Sequence, residues 1–380
     1  MPLTRSQAAR RLRRIPLAGG GQESLLSEVG AQYLLPLFST RDACALRLVC
    51  REFLAAVTEQ PWEDEKTVIR GSIGAWRACF PRALCANVAQ ATEWEPNLRN
   101  APVVDADFVH LQGLRKLNMS DCTGVTDAAF SHLRGIHTLS MAGCSQEGIT
   151  DAAFAHLRGI RALDMRCCSQ AGVTDAAFEH LCGIHTLNMG GCDQEGITEA
   201  AFASLRGIRT LNMSGCSQAG ITDAAFAHLR GIHTLYMSKC SQAGITDAAF
   251  VHLRGIHLLN MGGCSQEGIT DAAFAHLRGI HSLDMRGCTG VTDAAFAHLR
   301  GIHTLDMNLC NQDGITDAAF AHLRGIQVLH VIGCSPAALT SSALAQLVGV
   351  KTLRVSDLGV YYAADALDLP VAFYDEVEWQ

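Results

Sequence analysis

From Cys122 onward the chain repeats one pattern, L-x-M-x-x-C-S-Q-x-G-I-T-D-A-A-F-A-H-L-R-G-I-H-T. Its ladder cysteines are Cys122, Cys144, Cys168, Cys192, Cys216, Cys240, Cys264, Cys288, Cys310 and Cys334. Seven of the nine steps are 24 residues and two are 22. The short steps follow Cys122 and Cys288, where C-T-G-V-T-D replaces C-S-Q-x-G-I-T-D. A two-residue loss at that point is what a surface loop tolerates. A fixed period of this length predicts stacked units, because one short unit buries too little apolar surface to offset its own ordering.

Each unit reads as one strand and one short helix. In Ile136-His137-Thr138-Leu139-Ser140-Met141, the alternation at Leu139 and Met141 has the period of a half-buried strand. Thr150 and Asp151 then offer oxygens to the first free N–H groups of a helix. Ala153, Phe154 and Leu157 follow at helical spacing, and Gly159 sits where a left-handed cap is cheapest. A helix of about two turns is expected. Stacking such units places parallel strands along one face and helices along the other, with the wider helices forcing the strands to the concave side.

The I-x-x-L-x-M-x-x-C run resembles the leucine-rich-repeat pattern, and the I-T-D-x-x-F-x-x-L continuation resembles its cysteine-containing subclass. The resemblance covers residues 101–357. It implies an α/β fold: a right-handed leucine-rich-repeat solenoid, with parallel strands on the concave face and short helices on the convex face. That subclass usually carries a second cysteine near the helix end, where this chain has H-L-R-G.

Residues 23–62 have a different texture, with apolar clusters at helical spacing. They read as a small helical bundle that caps the first repeat. The order Leu25-Leu26-Ser27-Glu28-Val29, then Leu37-Phe38, Asp42, Arg47-Leu48-Val49-Cys50-Arg51-Glu52-Phe53 and Trp62 also resembles an F-box. That resemblance implies docking on a Skp-type adaptor of a cullin–RING ubiquitin ligase. Leu25, Leu26, Val29, Leu37 and Phe38 would occupy the docking surface, with Val49 and Cys50 nearby. Leu26 stands where the family has proline, and Ala43 where a leucine usually follows the aspartate. Around this module lie a basic tail at 1–22, a linker or degenerate first repeat at 63–100, and an acidic, aromatic C-terminal cap at 358–380.

Composition narrows the function. A formal charge of −7 argues against a general nucleic-acid binder. No apolar run reaches the roughly 18–20 residues that span a bilayer, and the first apolar stretches are interrupted by arginine, so neither membrane insertion nor a secretory signal is expected. The 16 cysteines then read as reduced thiols in an intracellular, cytoplasmic or nuclear protein.

Cysteine and histidine together raise the question of metal or thiol chemistry. The ladder cysteines recur once per unit facing inward, where a small apolar side chain with a weak S–H donor suffices. No C-x-x-C pair supplies converging zinc ligands. The histidines form two columns, one on the helix (His132, His156, His180, His228, His252, His276, His298, His322) and one before the strand (His137, His185, His233, His257, His281, His303). Catalysis needs a singular arrangement, whereas copies in coil after coil mark scaffold. Partly exposed rings stacked on their neighbours are expected. Gly19-Gly20-Gly21 lacks a strand–loop–helix context and reads as a linker. No catalytic residue, metal or cofactor is expected.

Binding is expected on the strand face, where most units offer Thr, Asn and Gly: Thr186, Asn188, Gly190; Thr210, Asn212, Ser214. Positions that break this monotony are candidate target contacts. They are Asp164 and Arg166, Tyr236 and Lys239, Leu258, Asp284 and Arg286, Asp306, Asn308 and Leu309, then His330 and Arg354. Tyrosine and arginine are common interface anchors; neutral drift among duplicated units produces the same irregularities. The resulting reading is the substrate-recognition subunit of a cullin–RING ligase, binding a protein target on its concave face, without nucleic acid or membrane. The alternative is a non-catalytic scaffold or decoy whose N-terminal helices serve only as a cap.

Overall fold

The computed structural model describes Leu35 and residues 38–47, 51–90, 102–334, 340–347, 349–354 and 362–363. Two compact units divide the chain, residues 1–140 and 141–380.

In the first unit, helices α1 (Thr40–Leu46), α2 (Arg51–Glu59) and α3 (Ile73–Cys79) precede three short strands. The strands are β1 (Cys85–Asn87), β2 (Lys116–Asn118) and β3 (Thr138–Ser140), paired in parallel with Cys85 opposite Lys116 and Lys116 opposite Thr138. Trp62 is 2 % exposed; its indole N–H donates to the Val57 carbonyl at 2.8 Å, and its ring meets Phe80 edge-on at 5.5 Å. The indole therefore joins α2 to the segment that follows. Asp64 ties α1 to the same segment by accepting from the Thr40 N–H at 2.7 Å and the Thr67 N–H at 3.1 Å. Burial alone would raise its carboxyl, yet the hydrogen bonds from Thr40 and Thr67 outweigh that and hold it below the ordinary value. Within residues 63–100, α3 and β1 already form a strand-and-helix unit in register with the next.

In the second unit the repeat becomes regular. Strands β4 (Ala162–Asp164), β5 (Thr186–Asn188), β6 (Thr210–Asn212), β7 (Thr234–Tyr236), β8 (Leu258–Asn260), β9 (Ser282–Asp284), β10 (Thr304–Asp306), β11 (Val328–His330) and β12 (Thr352–Arg354) run parallel in sequence order. A short β13 (Tyr362–Ala363) pairs antiparallel with β12. The parallel registers from β4 to β12 place leucine opposite leucine, as Leu187 with Leu211 and Leu259 with Leu283. The architecture is an α/β leucine-rich-repeat solenoid.

One coil shows why. Leu163, Met165, Cys168, Val173, Ala177, Phe178, Leu181 and Ile184 are each at most 1 % exposed. The backbone enters the helical turn through Thr174, whose hydroxyl accepts from the Ala176 N–H. The helix is shorter than the spacing predicts. Asp175–Phe178 forms one α turn and Glu179–Leu181 tightens to a 3-10 turn, before Gly183 reverses the chain at φ 84°. A 3-10 turn lets so short a helix close its last carbonyls locally.

Two ladders run along the stack. From Cys168 to Cys334 each ladder cysteine Sγ–H donates to the carbonyl of a methionine one coil back, as Cys192 to Met165 at 3.0 Å and Cys240 to Met213 at 3.1 Å. Burial pushes these thiols up, to about 12 for Cys264 and Cys310, so they stay protonated donors. All cysteines among the described residues are free. On the helix side, the aspartate after each cap threonine reaches the next coil. Asp223 accepts from both the N–H and the hydroxyl of Thr246, each at 2.7 Å. At Glu199 the longer side chain accepts from the Thr222 hydroxyl, in place of the paired N–H and hydroxyl bonds of the aspartate coils. Glu199→Asp should restore the paired arrangement. Urea unfolding is expected to shift by about 0.5–1.5 kcal/mol toward stability, the net worth of one hydrogen bond; an unchanged or lowered midpoint would contradict this.

Candidate functional site

The residue after the strand leucine has one structural task in most coils. Asn188, Asn212 and Asn260 turn their side-chain oxygens back to accept from the N–H two residues on, at 3.1, 2.9 and 3.1 Å. Asp164, Asp284 and Asp306 make the same bond, to Arg166, Arg286 and Asn308, at 3.2, 3.1 and 3.0 Å. As candidate target contacts these three acids are therefore corrected: their carboxylates are not offered to solvent. They are 2 %, 0 % and 4 % exposed, because the turn folds each carboxylate onto the backbone.

A buried carboxylate needs a partner, and the chain supplies one two residues later. Arg166 Nε lies 3.4 Å from Asp164. Arg286 donates to Asp284 through Nε at 2.9 Å and through Nη2 at 2.8 Å, and its Nε is 3.7 Å from Asp306. His330 Nδ1 is 3.3 Å from Asp306 Oδ2, the same oxygen that Arg286 approaches. Register places Asp284, Asp306, His330 and Arg354 side by side on β9 to β12. Burial pushes the Asp284 carboxyl above its ordinary range; Arg286 opposes the push and Asp306 adds to it. The cluster thus presents one partly exposed guanidinium and one imidazole above two acids held underneath.

Beside it the backbone carries strain. The residue before the ladder cysteine adopts positive φ and is glycine in most coils, yet Cys167, Lys239 and Leu309 stand there at φ 55°, 57° and 61°. Side chains in that conformation cost about 1–2 kcal/mol each. Leu309 is 63 % exposed, and Ile332 on the next coil is 37 % exposed. Ile332 belongs to this apolar patch and was missed at the sequence level, although it stands where neighbouring coils carry Asn308 and Arg286. Tyr236 is half-buried and replaces the turn-forming asparagine; burial raises its phenol. Leu258 is half-buried, while Lys239 and Arg354 are exposed. The structure brings Asp284, Arg286, Asp306, Asn308, Leu309 and His330 together on adjacent coils. Asp164 with Arg166 forms a separate pair several strands away.

Of the candidate adaptor contacts, Leu25, Leu26, Val29, Leu37, Val49 and Cys50 lie outside the described residues. Phe38 is described and is only 6 % exposed, so its ring is not offered on a docking surface.

The two histidine columns differ. Before the strands, the rings of His233, His257, His281 and His303 stack at 4.7, 4.6 and 4.5 Å between centroids. The helix column instead accepts hydrogen bonds. Arg206 Nε donates to His228 Nδ1 at 3.3 Å, Arg230 to His252 at 3.2 Å, and Arg254 to His276 at 3.3 Å. An accepting Nδ1 leaves the proton on Nε2 of a neutral ring. The pairing has an internal control: where Cys182 replaces the arginine, Ser204 replaces the histidine of the following coil. Burial lowers His257, with His281 and His233 adding to it; burial also lowers His252, with Arg230 adding and Asp223 opposing. A ring whose folded value lies below its unfolded value near 6.5 contributes stability that is complete above that pH and lost as pH falls through the folded value. The melting temperature is therefore expected to decline from pH 7 toward pH 5.5. A flat profile over that interval would remove the effect.

No group of three or more His, Cys, Asp or Glu side chains among the described residues is arranged to hold a metal ion. No helix among them is long and apolar enough to cross a membrane.

No family model matches the sequence, and no curated protein matches it either. Solved structures do. An internalin from Listeria monocytogenes is 15 % identical, with a TM-score of 0.55, over 84 % of this chain and 94 % of that one. Toll from Drosophila, in its complex with Spatzle, is 14 % identical, with a TM-score of 0.55, over 74 % of this chain. The match spans 37 % of the Toll chain, well under half its length. TLR13 in complex with a single-stranded RNA is 15 % identical with a TM-score of 0.52. At these identities the likeness concerns the fold, and the fold is that of the leucine-rich repeat.

Proposed function

We propose that this chain is a non-catalytic receptor that holds a protein partner on its strand face, and that it serves as the substrate-recognition subunit of a cullin–RING ubiquitin ligase. The observation that carries the first part is the patch on β9 to β12. There an apolar pair, Leu309 and Ile332, adjoins a guanidinium and an imidazole fixed by buried acids. Pre-set polar groups beside apolar anchors are the makeup of a binding hot spot. Positive φ at Leu309 supports the same reading, since backbone strain concentrates where a side chain is needed for contact. Among the structural neighbours, Toll is in complex with Spatzle and TLR13 with single-stranded RNA, both macromolecular ligands.

The ligase role rests on the F-box-like order of residues 23–62. Deleting that segment would strip Trp62 from Phe80, so point changes are the cleaner test. Wild-type protein is expected to capture a purified Skp-type adaptor, and Leu25→Arg with Val29→Arg to lose it without a change in melting temperature. Absence of capture by the wild type would leave a scaffold whose helices only cap the array. Separately, Leu309→Gly with Ile332→Ser should weaken capture of a protein partner at least tenfold, while leaving adaptor binding intact.

A further inference from the structure

The overall charge of −7 conceals a one-sided distribution. Between each helical turn and the next strand the chain reads H-L-R-G-I-H, and from residue 203 to residue 327 these stretches contain no acid. They contain Arg206, Arg230, Arg254, Arg278, Arg300 and Arg324 at one fixed position, all exposed. Arg209 and the stacked histidines follow three residues beyond. No carboxylate lies within ion-pair distance of these arginines among the described residues; five of the six donate to the imidazole of the next coil instead. The aspartates sit at the opposite end of the helical turns, engaged with the cap threonines.

We propose that this edge binds the phosphodiester backbone of single-stranded nucleic acid, without regard to base sequence. Three features select that ligand. Every fixed cation at these positions is arginine, whose planar fork matches phosphate oxygens. The cations form a single file, one guanidinium per coil, matching a flexible chain with one charge per unit. The only exposed large apolar side chain in these stretches is Val251. Membrane association by a basic surface relies on apolar insertion as well as charge, and a protein partner would need apolar or aromatic anchors. The edge is separate from the strand-face patch, so its occupancy does not depend on the ligase reading.

The test is fluorescence anisotropy with a labelled 20-nucleotide oligothymidylate, titrated with full-length protein from 50 to 200 mM salt. The variant carries Arg206→Gln, Arg230→Gln, Arg254→Gln and Arg278→Gln. Glutamine preserves the bond to the next histidine, since Gln112 makes it natively to His132 Nδ1 at 2.7 Å. The variant should therefore keep the wild-type melt and circular dichroism. Expected are low-micromolar binding by the wild type at 50 mM salt and at least tenfold weaker binding by the variant. The slope of log K against log salt should fall in magnitude by about 3 for the four charges removed. Arg82→Gln, elsewhere on the surface, should match the wild type. The proposal is overturned if the wild type does not bind the oligonucleotide or shows no salt dependence. It is also overturned if the four-residue variant binds equally well, or if phosphatidylserine vesicles or polyglutamate bind this edge more tightly than the oligonucleotide.

Discussion

Phe250→Ala is expected to destabilise the array by about 3–5 kcal/mol, the range for emptying a buried aromatic site. Phe250 is fully buried and sits on the helical turn of a central coil, with Phe226 before it and Phe274 after it equally buried. A terminal coil is free to close over the gap, but a central one is held on both sides. Its strand is paired with two neighbours, and Asp247 and Thr246 are bonded to the coils that follow and precede. Cooperativity in a stacked array depends on interfaces between nearest neighbours, so the loss weakens two interfaces at once. Urea unfolding followed by circular dichroism should show a lower midpoint and a broader transition. Val251→Ser, one residue on and 41 % exposed, should change stability by no more than about 0.5 kcal/mol. A loss below about 1 kcal/mol for Phe250→Ala would mean the coils can collapse independently.

Arg286→Met is expected to cost about 3 kcal/mol at neutral pH, within the range for removing one partner of a buried ion pair. Asp284 is fully buried, and among the described residues the Arg286 guanidinium is its side-chain cation at hydrogen-bonding distance. Without Arg286 the carboxyl rises further, because burial and Asp306 already push it upward. A carboxyl whose folded value lies above its unfolded value destabilises the fold at high pH and ceases to do so as pH falls and it becomes protonated. The deficit of the variant should therefore shrink between pH 7 and pH 4.5. The neighbouring coil supplies a rescue, since Asn260 makes the same turn to Gly262 without any charge. Asp284→Asn with Arg286→Gly reproduces that pair and should recover most of the loss. A deficit independent of pH and unrelieved by the double change would mean that lost packing by the arginine stem, not an unpaired acid, is responsible.

The two outcomes separate what the sequence reveals from what it hides. Periodicity identified the interior, since Leu, Met, Cys and Phe recur at fixed positions and the structure buries them. It could not show which side chains meet along the stack, because each partner lies one full repeat away. Thr174 and Asp151 are 23 residues apart in sequence, so Asp151 read as a cap for its own helix when it secures the next. The same distance hid the arginine-to-histidine bonds, although the paired exchange at Cys182 and Ser204 carried a signal. Gln170, Gln194, Gln218 and Gln242 are polar residues of the loop between strand and helix, yet they are at most 4 % exposed. Gln312 shows one physical reason: its amide donates to the Cys288 and Val291 carbonyls of the preceding coil. At the binding face, the irregular positions were legible but the depth of each was not. An aspartate replacing asparagine inherits a buried turn, and only the arginine two residues on reveals that its charge is neutralised there.

One measurement bears directly on the shared interior: maleimide labelling of the native protein, resolved by peptide mass spectrometry across a urea series. Cys44, Cys167 and Cys182 are exposed and should react promptly. Cys168, Cys192, Cys216, Cys240, Cys264 and Cys288 are buried, with protonated thiols engaged to methionine carbonyls one coil back. They should become reactive together, in the same transition that circular dichroism records. Prompt labelling of these ladder cysteines in native buffer, or their loss to disulfides between coils, would show that the coils do not share a core.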